Sequence, residues 1–506
     1  MIVKLLYPFH LSCGWRSGLT IGSTSKMCLI VARITILSAL GSYVPFRIDA
    51  QPGLKPLTPT QLIAYASSKV PLITDDPSTW SAQRQACHNI TLGTNGDGVS
   101  ALYGNFVPWA PGSAWTTDIS RAPVDPNSST WMSTMDGGNN IAVRGPIPTG
   151  VSDNWGAVHY GIPLTVVDSS TPKIAVNQDL ADVPAIAAID PSAAPDTSDV
   201  GPIPVPLPPA IQETTGPSTA INYMVPGDKH MFIIDRDSCL EYETWNTYWY
   251  NNRLYAGTLA VFDLLGEDMQ RPYGWTSTSV SGVSQYAGSV TVDEVLSGRI
   301  NHAIAFTAFG SWGRAGFTAP ATSHQWNSDN PAQPPFGARM RLRQDFNIDP
   351  TLYGPQTRVV LQALKQYGAI YVDGGLYGDM YWDEDSRWDW NDWANFWHIP
   401  ILGNLDFVAS GAPIYSYTPS GADTLPPTGP APTIASLEVY PVRVKAGSPV
   451  IVFWSSTGDD MRFLSSAGPT RKNFAILTPT ATTTFTLSAQ NKYGRTSQTV
   501  TVTVTP

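Results

Sequence analysis

Charge is scarce in this chain. Asp, Glu, Lys and Arg make up 14% of its 506 residues, so Ser, Thr, Asn, Gln and Gly must cover most of the surface. Basic residues are scarcer than acidic ones, 30 against 40, a formal net charge of -10. That argues against nucleic acid as a partner, because neutralising phosphates needs a basic footprint. There are only seven histidines and four cysteines. No Gly-rich phosphate loop, no His-Glu-x-x-His and no Gly-x-Ser-x-Gly elbow occurs. Nucleotide enzymes, common metalloproteases and α/β-hydrolases are therefore poor readings.

Proline and glycine are plentiful, 44 and 42, without a collagen period, and there are 17 Trp and 21 Tyr. This profile suits an extracellular β-protein with long loops. The length calls for two or three domains. The apolar run from Met27 through Leu40 follows Arg16 and Lys26, is interrupted by Arg33, and precedes the small-residue site Ile48-Asp49-Ala50. It is too short and broken for a bilayer span, so residues 1–50 read as a signal segment. A start at Met27 would account for the unusual residues before it. The expected location is secreted or cell-surface, with no stable membrane insertion after cleavage. Removal of this segment leaves Cys87 and Cys239, an even number in an oxidising compartment, and one disulfide is expected.

Punctuation by Pro, Gly, Asn and Asp divides the remainder. Residues 51–182 are a loop-rich β region, with a short helix capped at Thr58. Phe106–Trp109 and Gly161–Val167 are its strand candidates. Residues 183–217 hold nine prolines and read as an extended connector. Residues 218–409 form the central β domain, where any chemistry is expected. Residues 410–433 are a second Pro-rich linker, and residues 434–506 a small all-β unit.

In the central domain, Met231–Ile234 is a continuous apolar strand. Cys239–Trp245 alternates, placing Glu241, Glu243 and Trp245 on one face. His302–Ala308 alternates as well. Ala338, Met340 and Leu342 point one way, and Arg339, Arg341 and Arg343 the other. One helix is expected over Gln356–Tyr367, stopped by Gly368. The fold class is mainly β: a jelly-roll or β-sandwich-like central domain with one packed helix, plus a C-terminal sandwich.

Two stretches carry resemblances. Ala446–Ser456 (AGSPVIVFWSS) and Leu477–Leu487 (LTPTATTTFTL) resemble bacterial immunoglobulin-like modules over about the last 70 residues, a size usual for a small sandwich. This implies a fold and little about function, and the module lacks the pinning cysteines. The central part resembles an uncharacterised type of secreted bacterial β-rich protein. That likeness is carried by Asp228-Lys229-His230, Asp235-Arg236-Asp237, Tyr242-Glu243, Arg271–Ser277 (RPYGWTS), Asp293-Glu294, Asn301-His302-Ala303 and Tyr367–Ile370. It implies a real domain and a bacterial origin, and it supplies no catalytic residues.

Paired carboxylates beside aromatics fit polysaccharide hydrolysis, which uses one acid and one base or nucleophile. Glu243 and Asp235 lead, with Asp293, Glu294 and Asp373 behind them. Glu241, Trp245 and Trp275 are candidate sugar contacts. The rival for any such pair is a set of solvated or ion-paired charges. The arginine row is read first as a charge ladder to Asp345, Glu241 or Glu243. The alternative is a cradle in which Arg339 and Arg341 hold an anionic sugar. His302 or His324, with those arginines, would suit a polysaccharide lyase. His230, His302 and His324 are candidate ligands for a divalent metal, although their spacing matches no short motif and no cofactor is otherwise implied. Trp382 and Trp388, in the acidic tryptophan-rich stretch to Trp397, would form either a sugar platform or a docked helix. The expected partner is a polysaccharide or cell-wall glycan. The competing class is a non-catalytic carbohydrate-binding or adhesion protein.

Overall fold

The apolar run Met231–Ile234 sits at the centre of the largest sheet and is buried on both faces, as its composition demands. The computed structural model describes residues 56–94, 106, 108–136, 143–144, 161–183, 197–213, 227–309, 313–324, 328–375, 378–393, 401–416 and 425–505. Residues 1–50, expected to be a signal segment, Val107 and Trp397 lie outside the described residues.

Among the described residues thirteen strands precede the C-terminal unit, and twelve of them lie before Trp390. They are β1 (Gly93–Thr94), β2 (Val143–Arg144), β3 (Leu164–Val167), β4 (Lys173–Asn177), β5 (Pro202–Pro204), β6 (Met231–Asp235), β7 (Leu240–Tyr250), β8 (Arg253–Asp263), β9 (Ile304–Phe309), β10 (Arg339–Leu342), β11 (Ala369–Gly375) and β12 (Gly378–Asp379). With β13 (Leu405–Phe407) they build a seven-stranded sheet, β1-β3-β6-β7-β8-β4-β5, a four-stranded sheet, β13-β10-β11-β9, and the pair β12-β2. Both larger sheets are mixed: β3 runs parallel to β6, β4 to β8 and β9 to β11. The seven-stranded sheet therefore draws on both the N-terminal region and the central domain. The proline-rich stretch 183–217 is partly strand, since Pro202–Pro204 forms an edge, where a missing N–H is tolerated. Trp109 is buried with a left-handed backbone (φ 75) rather than extended in a strand.

Two apolar clusters flank the large sheet. Phe232, Ile234, Ala260 and Phe262 face the main core, which also holds the four-stranded sheet and the long helix. Met231, Ile233, Tyr242, Leu259 and Val261 face the opposite way, onto Met461 and Phe463 of the C-terminal unit. Helices are few. α1 (Pro59–Ser67) starts at a Thr58–Gln61 capping box. α2 (Ala82–His88), α3 (Ser128–Asp136) and α4 (Val292–Leu296) are short. α5 (Pro355–Gln366) is the expected long helix, one residue displaced, and Gly368 follows it at φ +72, where a side chain would be strained.

The C-terminal unit comprises β14 (Thr433–Tyr440), β15 (Arg443–Lys445), β16 (Val450–Thr457), β17 (Met461–Leu464), β18 (Gly468–Pro469), β19 (Phe474–Leu477), β20 (Thr483–Asn491) and β21 (Gly494–Thr505). Two sheets, β14-β16-β19 and β15-β21-β20-β17-β18, enclose Val450, Val452, Trp454, Phe485, Leu487 and Val502. The outer face of β16, Ile451 and Phe453, is covered by Leu62 and Ala66 of α1. Part of the second linker is also packed: Tyr415 bridges Phe317, and Ser416 Oγ donates to Ala315 O. Cys87 and Cys239 form a disulfide that ties α2 to the turn between β6 and β7, with Cα atoms 6.0 Å apart.

Candidate functional site

Strand alternation on β7 sends Leu240 and Tyr242 toward the C-terminal unit and Glu241 and Glu243 into the main core. Both glutamates have 0% exposure. Burying two carboxyls side by side is costly, so partners are required. The segment Ser277–Tyr286 supplies them. Thr278 Oγ1 donates to Glu243 Oε2 (2.6 Å), the Tyr286 amide donates to Glu243 Oε1 (3.0 Å), and Ser284 Oγ donates to Glu241 Oε2 (2.8 Å). Burial, the neighbouring charge and a hydrogen bond with Glu243 together hold the Glu241 carboxyl well above the usual carboxylate range. Protonation is thus favoured at Glu241, while Glu243 accepts from Thr278 and Tyr286.

A third carboxyl approaches from the four-stranded sheet. Pairing of β11 with β9 slips between Tyr371 and Asp373, a bulge of the kind that re-aims a side chain. Asp373 Oδ1 accepts from the Gly374 amide at 2.7 Å. Gln285 Nε2 lies 3.5 Å from Asp373 Oδ2 and 2.9 Å from the Tyr381 hydroxyl, and Thr278 Oγ1 lies 3.4 Å from Gln285 Oε1. Thr278 and Gln285 therefore join Glu243 to Asp373. Burial, reinforced by the charge of Asp228, pushes the Asp373 carboxyl up to about 8. The Tyr381 hydroxyl is raised too, first by burial and then by Asp373 and Asp228. His230 is buried beside Asp228 and Glu243, and desolvation lowers its pKa, which favours the neutral ring. Half-buried Trp245 donates from its indole to Asp228 Oδ1 at 3.3 Å.

The other expected site residues lie elsewhere. Asp235 pairs across from Leu240 whereas Glu243 pairs across from Phe232, about 10 Å along the strand at the usual rise. Its carboxylate accepts from the Asp237 and Ser238 amides and the Ser238 hydroxyl, closing the β6–β7 turn. Asp293 pairs with Arg387 at 2.7 Å. Glu294 completes the capping box of α4 and contacts His302 Nε2 at 3.1 Å. Burial alone would lower the His302 pKa, but Glu294 and the Ala303 carbonyl outweigh it and hold it above the ordinary value.

The arginine row shares a face as expected, and the hydrogen bonds of Arg339 and Arg341 go to main-chain carbonyls rather than to Glu241 and Glu243. Arg339 donates to the carbonyls of Thr117 and Tyr367, and Arg341 to those of Ile119, Ser120 and Ala122. Only Arg343 meets Asp345, on the surface. The histidines do not converge. His324 stacks on Phe317, and no group of three or more metal-ligating side chains occurs among the described residues. Trp275 lies under Arg495 rather than beside Glu243. Trp382 and Trp388 lie outside any helix, are buried, and line a small apolar cavity with Val290, Val360, Met380 and Trp393.

Asp228, Thr278, Gln285 and Tyr381 were missed as site residues. Thr276–Ser284 did carry a signal: Ser277, Thr278, Ser279, Ser281 and Ser284 are all buried, and a buried hydroxyl-rich run needs acceptors. Gln285 and Tyr381 carried none.

No family model matches the chain, and no curated protein matches it. Among solved structures it is similar to an amphioxus IgVJ-C2 molecule, at 18% identity and a TM-score of 0.13, over 20% of this chain. The match takes in less than two thirds of that chain, 65%. This is a distant, partial likeness to an immunoglobulin-like molecule and assigns no family.

Proposed function

We propose that this protein hydrolyses a polysaccharide, with Asp373 as general acid and Glu243 as base or nucleophile. The observation that carries the reading is the pairing of a hydrogen-bonded, accepting Glu243 with an Asp373 held protonated to about pH 8. A carboxyl held protonated fits the acid role, and a carboxyl that accepts hydrogen bonds from fixed donors fits the base role. Asp373 gives its proton to the glycosidic oxygen. Glu243 either attacks the anomeric carbon or takes a proton from the attacking water. Gln285 and Tyr381 hold the acid in place, and the indole face of Trp245 offers a surface for a sugar ring. The lyase alternative loses its support, because Arg339 and Arg341 are spent on carbonyls and His302 on Glu294. Export from a bacterial cell and a cell-wall or other polysaccharide partner belong to the same proposal.

The test is a polysaccharide panel read for both reducing ends and unsaturated uronates. Reducing ends are expected without the lyase absorbance. Glu243→Gln and Asp373→Asn should each lower kcat by about 10²–10⁴-fold. The wild-type rate should fall as pH rises through about 8, where Asp373 loses its proton. Glycan binding with no cleavage of any substrate would overturn the hydrolase reading in favour of a binding protein.

A further inference from the structure

We infer that Arg495, on the C-terminal unit, is a positioning residue for the site on the central sheets. This rests on the proposed roles of Glu243 and Asp373. Thr278, which donates to Glu243, and Gln285, which reaches Asp373, lie on the irregular stretch after Arg271. Irregular chain holds a geometry only if something pins it.

The pinning comes from two sides. Arg271 is 0% exposed and donates to the carbonyls of Thr276 (2.7 Å) and Thr197 (2.6 Å) and to Asp199 Oδ2 (2.7 Å). Asp199 is likewise 0% exposed, and Arg495 reaches its other oxygen from β21. The same guanidinium covers the Trp275 ring at 4.5 Å. One turn away, the Tyr273 amide donates to Lys492 O at 2.9 Å, so the β20–β21 hairpin also holds the start of the stretch. From there Ser277 Oγ donates to Val283 O at 2.6 Å and closes the loop that presents Thr278. Hydrogen bonds thus run from Arg495 through Asp199 and Arg271 to Thr276, two residues before the donor on Glu243, and Arg495 also covers Trp275. The C-terminal unit is part of the site's supporting shell, the layer that keeps reacting groups within a fraction of an ångström.

The test uses the full chain with Arg495→Met and Arg495→Lys. In Arg495→Met, amide exchange across residues 273–286 should rise by roughly tenfold or more, with α5 and β16 unchanged. On whichever glycan the wild type cleaves, kcat should fall about tenfold with KM within about twofold, and Arg495→Lys should recover part of it. Unaltered exchange over 273–286 in a folded Arg495→Met overturns the inference. If that variant does not fold, Arg495→Lys decides by the same measurement, with raised exchange supporting the inference and unaltered exchange overturning it. If the wild type cleaves no glycan, the hydrolase reading fails while the exchange result still judges the role of Arg495.

Discussion

At the scale of single residues, Asp373 and His302 both hold protons longer than usual, and the folded state depends on pH through each. For Asp373 the folded value of about 8 lies far above that of an unfolded aspartate, near 4. Below pH 4 both states are protonated and there is no penalty. Between about 4 and 8 only the unfolded chain ionises, so stability is lost as pH rises across that window. Asp373→Asn should remove this slope, so denaturant melts at pH 5 and pH 9 should differ less than in the wild type. An equal difference in both proteins would refute this. His302 contributes stability that is complete below about pH 6.5 and is lost as pH rises through its raised folded value. His302→Gln should cost about 1–3 kcal/mol at pH 6 and less at pH 9. Once corrected for the folded fraction, its effect on glycan cleavage should be small, because His302 braces α4 through Glu294.

At the scale of elements, β10 shows how a reactive-looking motif becomes scaffold. The three carbonyls that Arg341 satisfies belong to irregular chain at Ile119–Ala122, where the one local donor is the Ala122 amide, to Ile119 O. Arg341→Met keeps the apolar stem but takes the guanidinium from the Ser120 and Ala122 carbonyls, and should cost about 2–4 kcal/mol by denaturant titration. It should leave the choice of glycan unchanged, and a shift in substrate preference would restore a ligand role to the row. Much of this level was legible in the sequence. Period-two alternation put Glu241 and Glu243 on one face, and Thr58–Gln61 marked α1. The disulfide followed from cysteine counting. The partners of those elements were not legible. Nothing local to Asp373 indicates a bulge at its position, and nothing near Gln285 indicates contact with a residue 88 positions away. Asp235 misled because an aspartate at a strand end serves a turn as readily as a reaction.

At the scale of the whole molecule, the C-terminal unit covers a face the large sheet cannot leave in water. Ile203, Met231, Ile233, Leu259 and Val261 meet Met461 and Phe463 there, and Arg471 closes the edge on Asp263. A chain ending at Ser416 should therefore be poorly soluble, bind a hydrophobic dye and lose near-ultraviolet dichroism. A soluble, cooperatively unfolding truncation would contradict this docking. Asn473 also has a temporal consequence. Its side chain accepts from the Ile73 amide at 2.7 Å and donates to Pro71 O at 2.9 Å, pairings 400 and 402 residues apart. Contacts of such span carry a large loop-closure cost and form late. The first helix has no seat until β16 and its neighbours have been synthesised. The stretch from Pro59 therefore stays incompletely folded until Asn473 has been made, so its apolar helix face waits through some 400 residues of synthesis for its seat.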